Sequence, residues 1–365
     1  MRIGILTFHC AHNYGAVLQS YALQQYLLSL GYNVEIIDYR PEYLVEPYRV
    51  KLYWWRFFSK NPIECIKRFF SESFYYLPMR LIRYYAFDRF INKKLLLSHA
   101  VEGNFIPEDY DVYIVGSDQV WNPKITNGFD DVYFARFSFN KGNKKYLSYA
   151  ASMGKITLSQ DETMYLTDSL KCFDKISVRE HTLVEMLQPI TDNNIELVLD
   201  PTLLVNPDIW NTLAVNPLKN KKYVLVYAIT MDDVIIKIAR KLANCLNVEI
   251  VELTSGIVKN RGKFQTASPM QFLGAIKNAD FVITTSFHAT IFSILFKVPF
   301  YVIKLNSSEN SRASSLLNML GITDRILLAN EDVTPNNNNN IDWNIVDNKL
   351  QYYRELSRQF LDSSL

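Results

Sequence analysis

At 365 residues the chain is longer than one typical hydrophobic core supports, so two domains of roughly 150 to 200 residues each are expected. A hydrophobic content of 48% is ample for burial, and 39 basic against 37 acidic residues exclude a global field that would draw in nucleic acid; an anionic ligand must be met locally. Cys10, Cys65, Cys172 and Cys245 form no CxxC pair, which argues against a zinc site or a disulfide framework and fits a reducing cytoplasm. The opening MRIGILTF is too short an apolar run for a signal peptide, and no window reaches transmembrane length.

Residues Ile3 to Phe8 read as a buried strand, HCAHNYG as a loop, Ala16 to Leu30 as an amphipathic helix closed by Gly31, and Asn33 to Asp38 as a second strand. Such a βαβ unit suits a doubly wound parallel sheet, in which ligands bind at the carboxyl ends of strands. His9, His12, Asn13, Tyr14 and Gly15 lie at one such end. The loop lacks GxGxxG, which disfavours a dinucleotide site. Gly15 is the position where backbone can approach a sugar or a phosphate closely.

Between about residues 53 and 93 aromatic and basic residues alternate at near-helical spacing, as in WWRFFSKNPIECIKRFF and SFYYLPMRLIRYYAFDRF. Two helices broken near Pro78 are predicted, inserted into the first domain. The favoured reading packs this insertion on the sheet with its basic side chains reaching water. The other makes it an interfacial pair that meets lipid headgroups or a lipid-linked acceptor at the inner face of the membrane. Asp111 to Trp121 is a further strand whose end carries Gly116, Ser117, Asp118, Gln119 and Trp121. Tyr146 to Ser152 and Lys175 to Arg179 repeat the pattern, and the second delivers Arg179 and Glu180. Ile195 to Asp200 completes this half. Asp200-Pro201 opens a Pro- and Asn-rich stretch, which places the first domain at residues 1–205 and the second at 206–341.

The second half restarts with a strand at Tyr223 to Ile229, a helix near Val234 to Leu246, a strand at Val248 to Leu253 and a short helix near Pro269 to Ala279. In DFVITTSFHATIFSILFKVPFYVIK the apolar run Phe281–Ile283 ends in Thr284, Thr285 and Ser286, residues that cap helices, and Phe287 to Phe296 then follows helical spacing until Pro299. His288 falls in the first helical turn. The free N–H groups and dipole at that helix start make an anion site and disfavour imidazolium. Spacing alone leaves His288 open as a packed core residue or as a proton-transfer group. Asn310 to Leu320 begins another helix with Arg312 at its mouth, Asn336 to Asn340 is low-complexity, and a helix from Trp343 to Leu361, within a final segment 342–365, folds back across the junction. The five histidines are dispersed and no HExxH occurs, so no metal site is predicted.

Together GILTFHCAHNYGAVLQSYAL, YIVGSDQVWN, SYAASMG, ISVRE, LVLDPTLL and NADFVITTSFHATIFSILFKVPF resemble, in number and order, the polysaccharide pyruvyl transferase family. The resemblance implies an α/β fold of two Rossmann-like domains facing across a cleft, like the B-type glycosyltransferases. It also implies transfer of pyruvate from phosphoenolpyruvate onto two sugar hydroxyls as a ketal, in cell-surface or exopolysaccharide synthesis, without a cofactor. The family's late histidine falls on His288 and its Arg-acidic pair on Arg179 and Glu180. Many members carry an arginine where this chain has Ser286, so donor binding is expected of Ser286 at the helix terminus, Arg179 and Arg312, with Lys304 or Arg261 as weaker alternatives. The acceptor, a sugar or lipid-linked oligosaccharide, is then expected at Asn13, Tyr14, Gly15, Asp118, Gln119 and Trp121, with the two aromatic residues stacking on it. A nucleotide-sugar glycosyltransferase of the same fold and a non-catalytic sugar-binding homologue are the alternatives.

Overall fold

A computed structural model describes residues 1–50, 62–154, 157–258, 264–305, 311–328 and 341–365. Among the described residues the chain forms two parallel sheets. The first has the order β3-β2-β1-β4-β5-β6-β7, built from β1 (Arg2–Leu6), β2 (Asn33–Asp38), β3 (Leu97–Ala100), β4 (Val112–Asp118), β5 (Lys145–Ala151), β6 (Lys175–Val178) and β7 (Ile195–Leu197). The second runs β12-β11-β10-β8-β9, from β8 (Tyr223–Ala228), β9 (Glu249–Thr254), β10 (Phe281–Thr284), β11 (Phe300–Lys304) and β12 (Ile326–Leu328). Central strands are covered on both faces, so β4, β8 and β10 are buried at every residue and run apolar until the polar residues at the ends of β4 and β10. Pairing Ile3 with Val112 and Val282 with Leu225 fixes the register at the two places where strand order reverses. These reversals, between β1 and β4 and between β8 and β10, are the topological switch points, and open α/β sheets bind ligands at their carboxyl ends.

Two expectations need correction. The helix after β1, Tyr14–Ser29, is not amphipathic but buried nearly all round, Gln19, Ser20 and Gln24 included, because it lies between the domains. Its Tyr14 ring stacks 4.4 Å from Phe272, and Tyr21 meets the edge of Trp210 at 6.0 Å. Secondly, the aromatic and basic insertion is not broken at Pro78. Pro62–Ser71 and Leu77–Lys94 are joined through a wide π turn at Glu72–Tyr76, just ahead of the residue whose ring would clash with a preceding carbonyl. At the sheet edge, β3 (Leu97–Ala100) is half-exposed and pairs Leu97 with Ile36.

One continuous apolar cluster spans both domains, with Val17, Leu18 and Leu23 from the first and Trp210, Phe272 and Phe292 from the second. Arg83 adds a polar tie, donating to Tyr14 Oη at 2.7 Å, to the Gln265 carbonyl at 3.1 Å and to the Ser255 carbonyl at 2.7 Å. The helix Trp343–Ser364 returns to the first domain. Ser357 Oγ accepts from Leu199 N at 2.9 Å, Arg354 Nε donates to the Leu203 carbonyl at 2.6 Å, and Lys145 Nζ reaches the carbonyl of Leu365 at 2.9 Å. Among the described residues no helix is long and apolar enough to cross a membrane.

Candidate active site

Both switch points open into one cavity of about 140 Å³ between the domains. Phe8, Ala11 and Asn13 line it from the end of β1, Asp118 and Gln119 from the end of β4, Tyr227 and Ile229 from β8, and Ser286, Phe287 and His288 from β10; Arg312 and Tyr48 contribute from neighbouring segments.

On the second-domain side, hydroxyl groups hold the β10 turn. Thr284 Oγ1 donates to the Tyr227 carbonyl at 2.6 Å and accepts from Ser286 N at 2.9 Å, while Thr285 Oγ1 accepts from Ile229 N at 3.0 Å. Ser286 is the N-cap of Phe287–Leu295, its Oγ accepting from Ala289 N at 3.4 Å. This places His288, 6% exposed, in the first turn and aims its ring across the junction. It lands on Gly15: a Cβ there would lie 2.0 Å from His288 Nδ1, so only glycine admits the imidazole. Sequence reading gave that close approach to a ligand; the group that makes it is His288. Asn13, one residue before Tyr14–Ser29, caps that helix, with Oδ1 accepting from Gly15 N at 2.9 Å.

Beneath His288 lies a buried charge cluster. Asp200 Oδ2 stands 3.5 Å from His288 Nε2, which makes no hydrogen bond among the described residues. The same oxygen accepts from Arg179 Nη1 at 2.7 Å, and Oδ1 accepts from Thr202 N at 3.0 Å and Thr202 Oγ1 at 2.7 Å. Burial alone would raise the Asp200 pKa, but the facing His288 and the Arg179 guanidinium hold it well below the usual carboxylate range. Arg179 is also surrounded by Asp118 at 3.3 Å and Glu180 at 3.4 Å. Desolvation opposes its charge, yet Glu180, Asp200 and Asp118 outweigh this and move its pKa up. Glu180 Oε1 accepts from Ser152 Oγ at 2.6 Å. Asp200 was invisible as a site residue in the sequence, where Asp-Pro reads as a domain break; the LVLDPTLL motif was the available signal.

The structure thus brings together Asn13, Asp118, Gln119, Ser286, His288 and Arg312, and sets others apart. Arg179 lies behind the cavity with its guanidinium committed to carboxylates and 1% exposed. Arg312 is the guanidinium among the lining residues. Its carbon sits 5.7 Å from the Phe287 ring, whose ring also lies 4.8 Å from Arg179, and it makes no hydrogen bond or ion pair among the described residues. Desolvation and the like charge of Arg179 press its pKa down. Tyr14 is fully buried with its hydroxyl on the Ala267 carbonyl at 2.9 Å, and Trp121 is fully buried with its indole N–H on the Tyr133 carbonyl at 2.7 Å. Neither ring faces the cavity to stack on a ligand; Tyr48, unnoticed in the sequence, does line it. Lys304 is not among the lining residues, and Arg261 lies outside the described residues. His12 stacks on Phe87 at 5.3 Å, and burial, with Arg83 and Arg40, lowers its pKa to about 4. No three His, Cys, Asp or Glu side chains among the described residues are grouped to hold a metal ion.

No curated protein matches the chain by sequence. Among solved structures, UDP-GlcNAc 2-epimerase from Neisseria meningitidis is 9% identical with a TM-score of 0.45, and 98% of this chain and 94% of that one are covered. The Methanocaldococcus jannaschii UDP-GlcNAc 2-epimerase is 11% identical at 0.44, covering 96% and 92%; a glycosyltransferase from Rickettsia africae is 13% identical at 0.44, covering 100% and 93%. The family model for polysaccharide pyruvyl transferase matches residues 13–307, a span that begins at the Asn13 cap and takes in Asp118, Arg179, Asp200 and the His288 turn; the chain belongs to the polysaccharide pyruvyl transferase family.

Proposed function

We propose that this protein transfers pyruvate from phosphoenolpyruvate to two hydroxyls of one sugar residue, forming a cyclic ketal and releasing phosphate. The observation that carries this reading is the placement of His288: it sits at one switch point, is seated on Gly15 of the other domain, and has a buried carboxylate at 3.5 Å from Nε2. Asp200 faces the imidazole Nε2 and positions the ring for proton transfer. The donor's phosphate and carboxylate meet Arg312 and the N–H groups at the start of Phe287–Leu295. The acceptor occupies the first-domain side, where Asn13, Asp118 and Gln119 offer hydrogen-bonding groups and Tyr48 an aromatic wall.

In the first step the donor methylene carbon gains a proton from His288 as a sugar oxygen bonds to the central carbon, and that hydroxyl's proton returns to the imidazole. In the second, the carbon–phosphate oxygen bond breaks, a second hydroxyl of the same sugar takes its place, and its proton leaves with phosphate. Atoms balance with no redox partner. Arg179 acts through Asp200 and Asp118 and so holds the geometry without touching the donor.

The test is phosphate release from phosphoenolpyruvate with purified glycans, read together with a pyruvate mass increment on the glycan. His288→Gln is expected to melt within a few degrees of the wild type and to lose at least about a hundredfold in turnover, the lower range for a general acid-base group. Unchanged turnover in that variant sinks the role of His288. Stabilisation of the wild type by nucleotide sugars, with none by phosphoenolpyruvate, sinks the donor.

A further inference from the structure

The helix that carries Arg83 into the cleft turns a second face outward. Ile66, Phe70, Phe74, Ile82 and Tyr85 stand on it with 57, 56, 71, 57 and 63% of their surface exposed, while Tyr76, Arg83, Phe87, Phe90 and Ile91 of the same helix are buried. The exposed positions recur at helical spacing and form one stripe about 29 Å long at 1.5 Å per residue. Nine of the 22 exposed large hydrophobic side chains among the described residues fall between 63 and 85. Single exposed apolar groups need no explanation; a contiguous stripe marks a contact surface.

Charge selects the occupant. Residues 62–94 carry Lys67, Arg68, Arg80, Arg83, Arg89, Lys93 and Lys94 against Glu64, Glu72 and Asp88, a net +4 in a chain whose total is +2. Arg83 faces inward and Arg80 pairs with Glu72 at 3.0 Å, which leaves Lys67, Arg89, Lys93 and Lys94 exposed around the stripe. A second copy packed on this face about a two-fold axis would set like charge against like. An anionic bilayer takes both features at once, the rings at the headgroup boundary and the cations on phosphates.

We propose that the helix Pro62–Lys94 docks the protein, by this outer stripe, on an anionic phospholipid surface. The inner side of the same helix helps line a cavity of about 210 Å³ with Tyr48, Arg49, Arg80, Arg83 and Tyr84, and Tyr48 is shared with the active-site cavity. Docking therefore brings the cleft beside the headgroups, where a membrane-anchored acceptor can enter without leaving the surface. The docking itself holds whichever donor the cleft uses.

The experiment is co-sedimentation of the full chain with vesicles of phosphatidylcholine alone and of phosphatidylcholine with phosphatidylglycerol. The wild type should sediment with the anionic vesicles and progressively less as salt rises. Phe70→Glu/Phe74→Glu, at exposed positions and checked by an unchanged melting temperature, should weaken binding at least tenfold. Lys67→Gln and Arg89→Gln should each weaken it about fivefold. Absence of sedimentation, equal sedimentation of wild type and the Phe variant, or a wild-type dimer in solution that the Phe variant dissolves, overturns the proposal.

Discussion

Gly15→Ala tests the junction at the centre of the site. The added Cβ would lie 2.0 Å from His288 Nδ1, 2.5 Å from Cε1 and 2.6 Å from Cγ, so a whole ring edge occupies the space it needs. Ordinary contact begins at 3.4 Å, so ring and backbone must part by at least about 1.4 Å. A misplacement of about 1 Å in a catalytic group costs on the order of a hundredfold in rate, and overpacking of a buried contact costs about 1–3 kcal/mol of stability. Alanine is also the better helix former by about 1 kcal/mol, which offsets part of that loss. The expected variant is therefore folded, mildly destabilised, and slowed about a hundredfold or more in phosphate release. The double variant Gly15→Ala/His288→Ala isolates the cause, because with the ring gone the alanine should be neutral or stabilising, leaving a coupling energy of at least about 1 kcal/mol. Thermal melts of the four proteins and steady-state assays of wild type and Gly15→Ala suffice. Wild-type turnover in Gly15→Ala, or equal destabilisation in both backgrounds, refutes the argument that His288 is held there by the absence of a side chain.

Arg312→Ala removes the guanidinium that opens into the cavity without an acidic partner among the described residues. A charged hydrogen bond contributes about 1.5–3 kcal/mol, so phosphoenolpyruvate KM should rise about tenfold or more with little loss of stability; an unchanged KM would move donor recognition elsewhere. His12 supplies a pH signature. Its folded pKa of about 4 lies below the ordinary value of 6.5, so the unfolded chain binds the extra proton. The stability this reflects is complete above pH 6.5 and is lost as pH falls toward 4, up to about 3 kcal/mol. Chemical denaturation across that window should show the loss, and His12→Phe should abolish that share of it; an identical pH dependence in the variant would refute the assignment.

Much of the scaffold was legible because buried parallel strands write themselves as apolar runs that stop at polar residues. The ends of β1, β4 and β10 were readable from Ile3–Phe8, Asp111–Trp121 and Phe281–Thr284, and with them Asn13, Asp118 and His288. What each polar group does depends on partners distant in sequence. Arg179 reads as an open cation until β4 and the Asp200 turn close carboxylates around it. Asp200 reads as a chain break until the helix of the second domain brings His288 over it. Trp121 and Tyr14 follow polar motif residues and so look like ligand platforms, yet their rings complete the core and their polar atoms are satisfied by carbonyls. The wide turn at Glu72–Tyr76 has no compositional mark, since it is the geometric answer to Pro78 within a helix that packing keeps intact.

The apolar cluster shared by the two domains bears on how the enzyme cycles. Opening the cleft as a hinge would pull Tyr14 from Phe272 and Trp210 from Tyr21, exposing surface that only burial stabilises. The imidazole rests on the opposite domain, against Gly15, so parting the domains would also lift His288 from its seat. Turnover then proceeds through a mouth of nearly fixed width. On the proposed chemistry, substrates and products would then exchange through that opening with little swinging of the domains, because separating them would expose the shared apolar cluster.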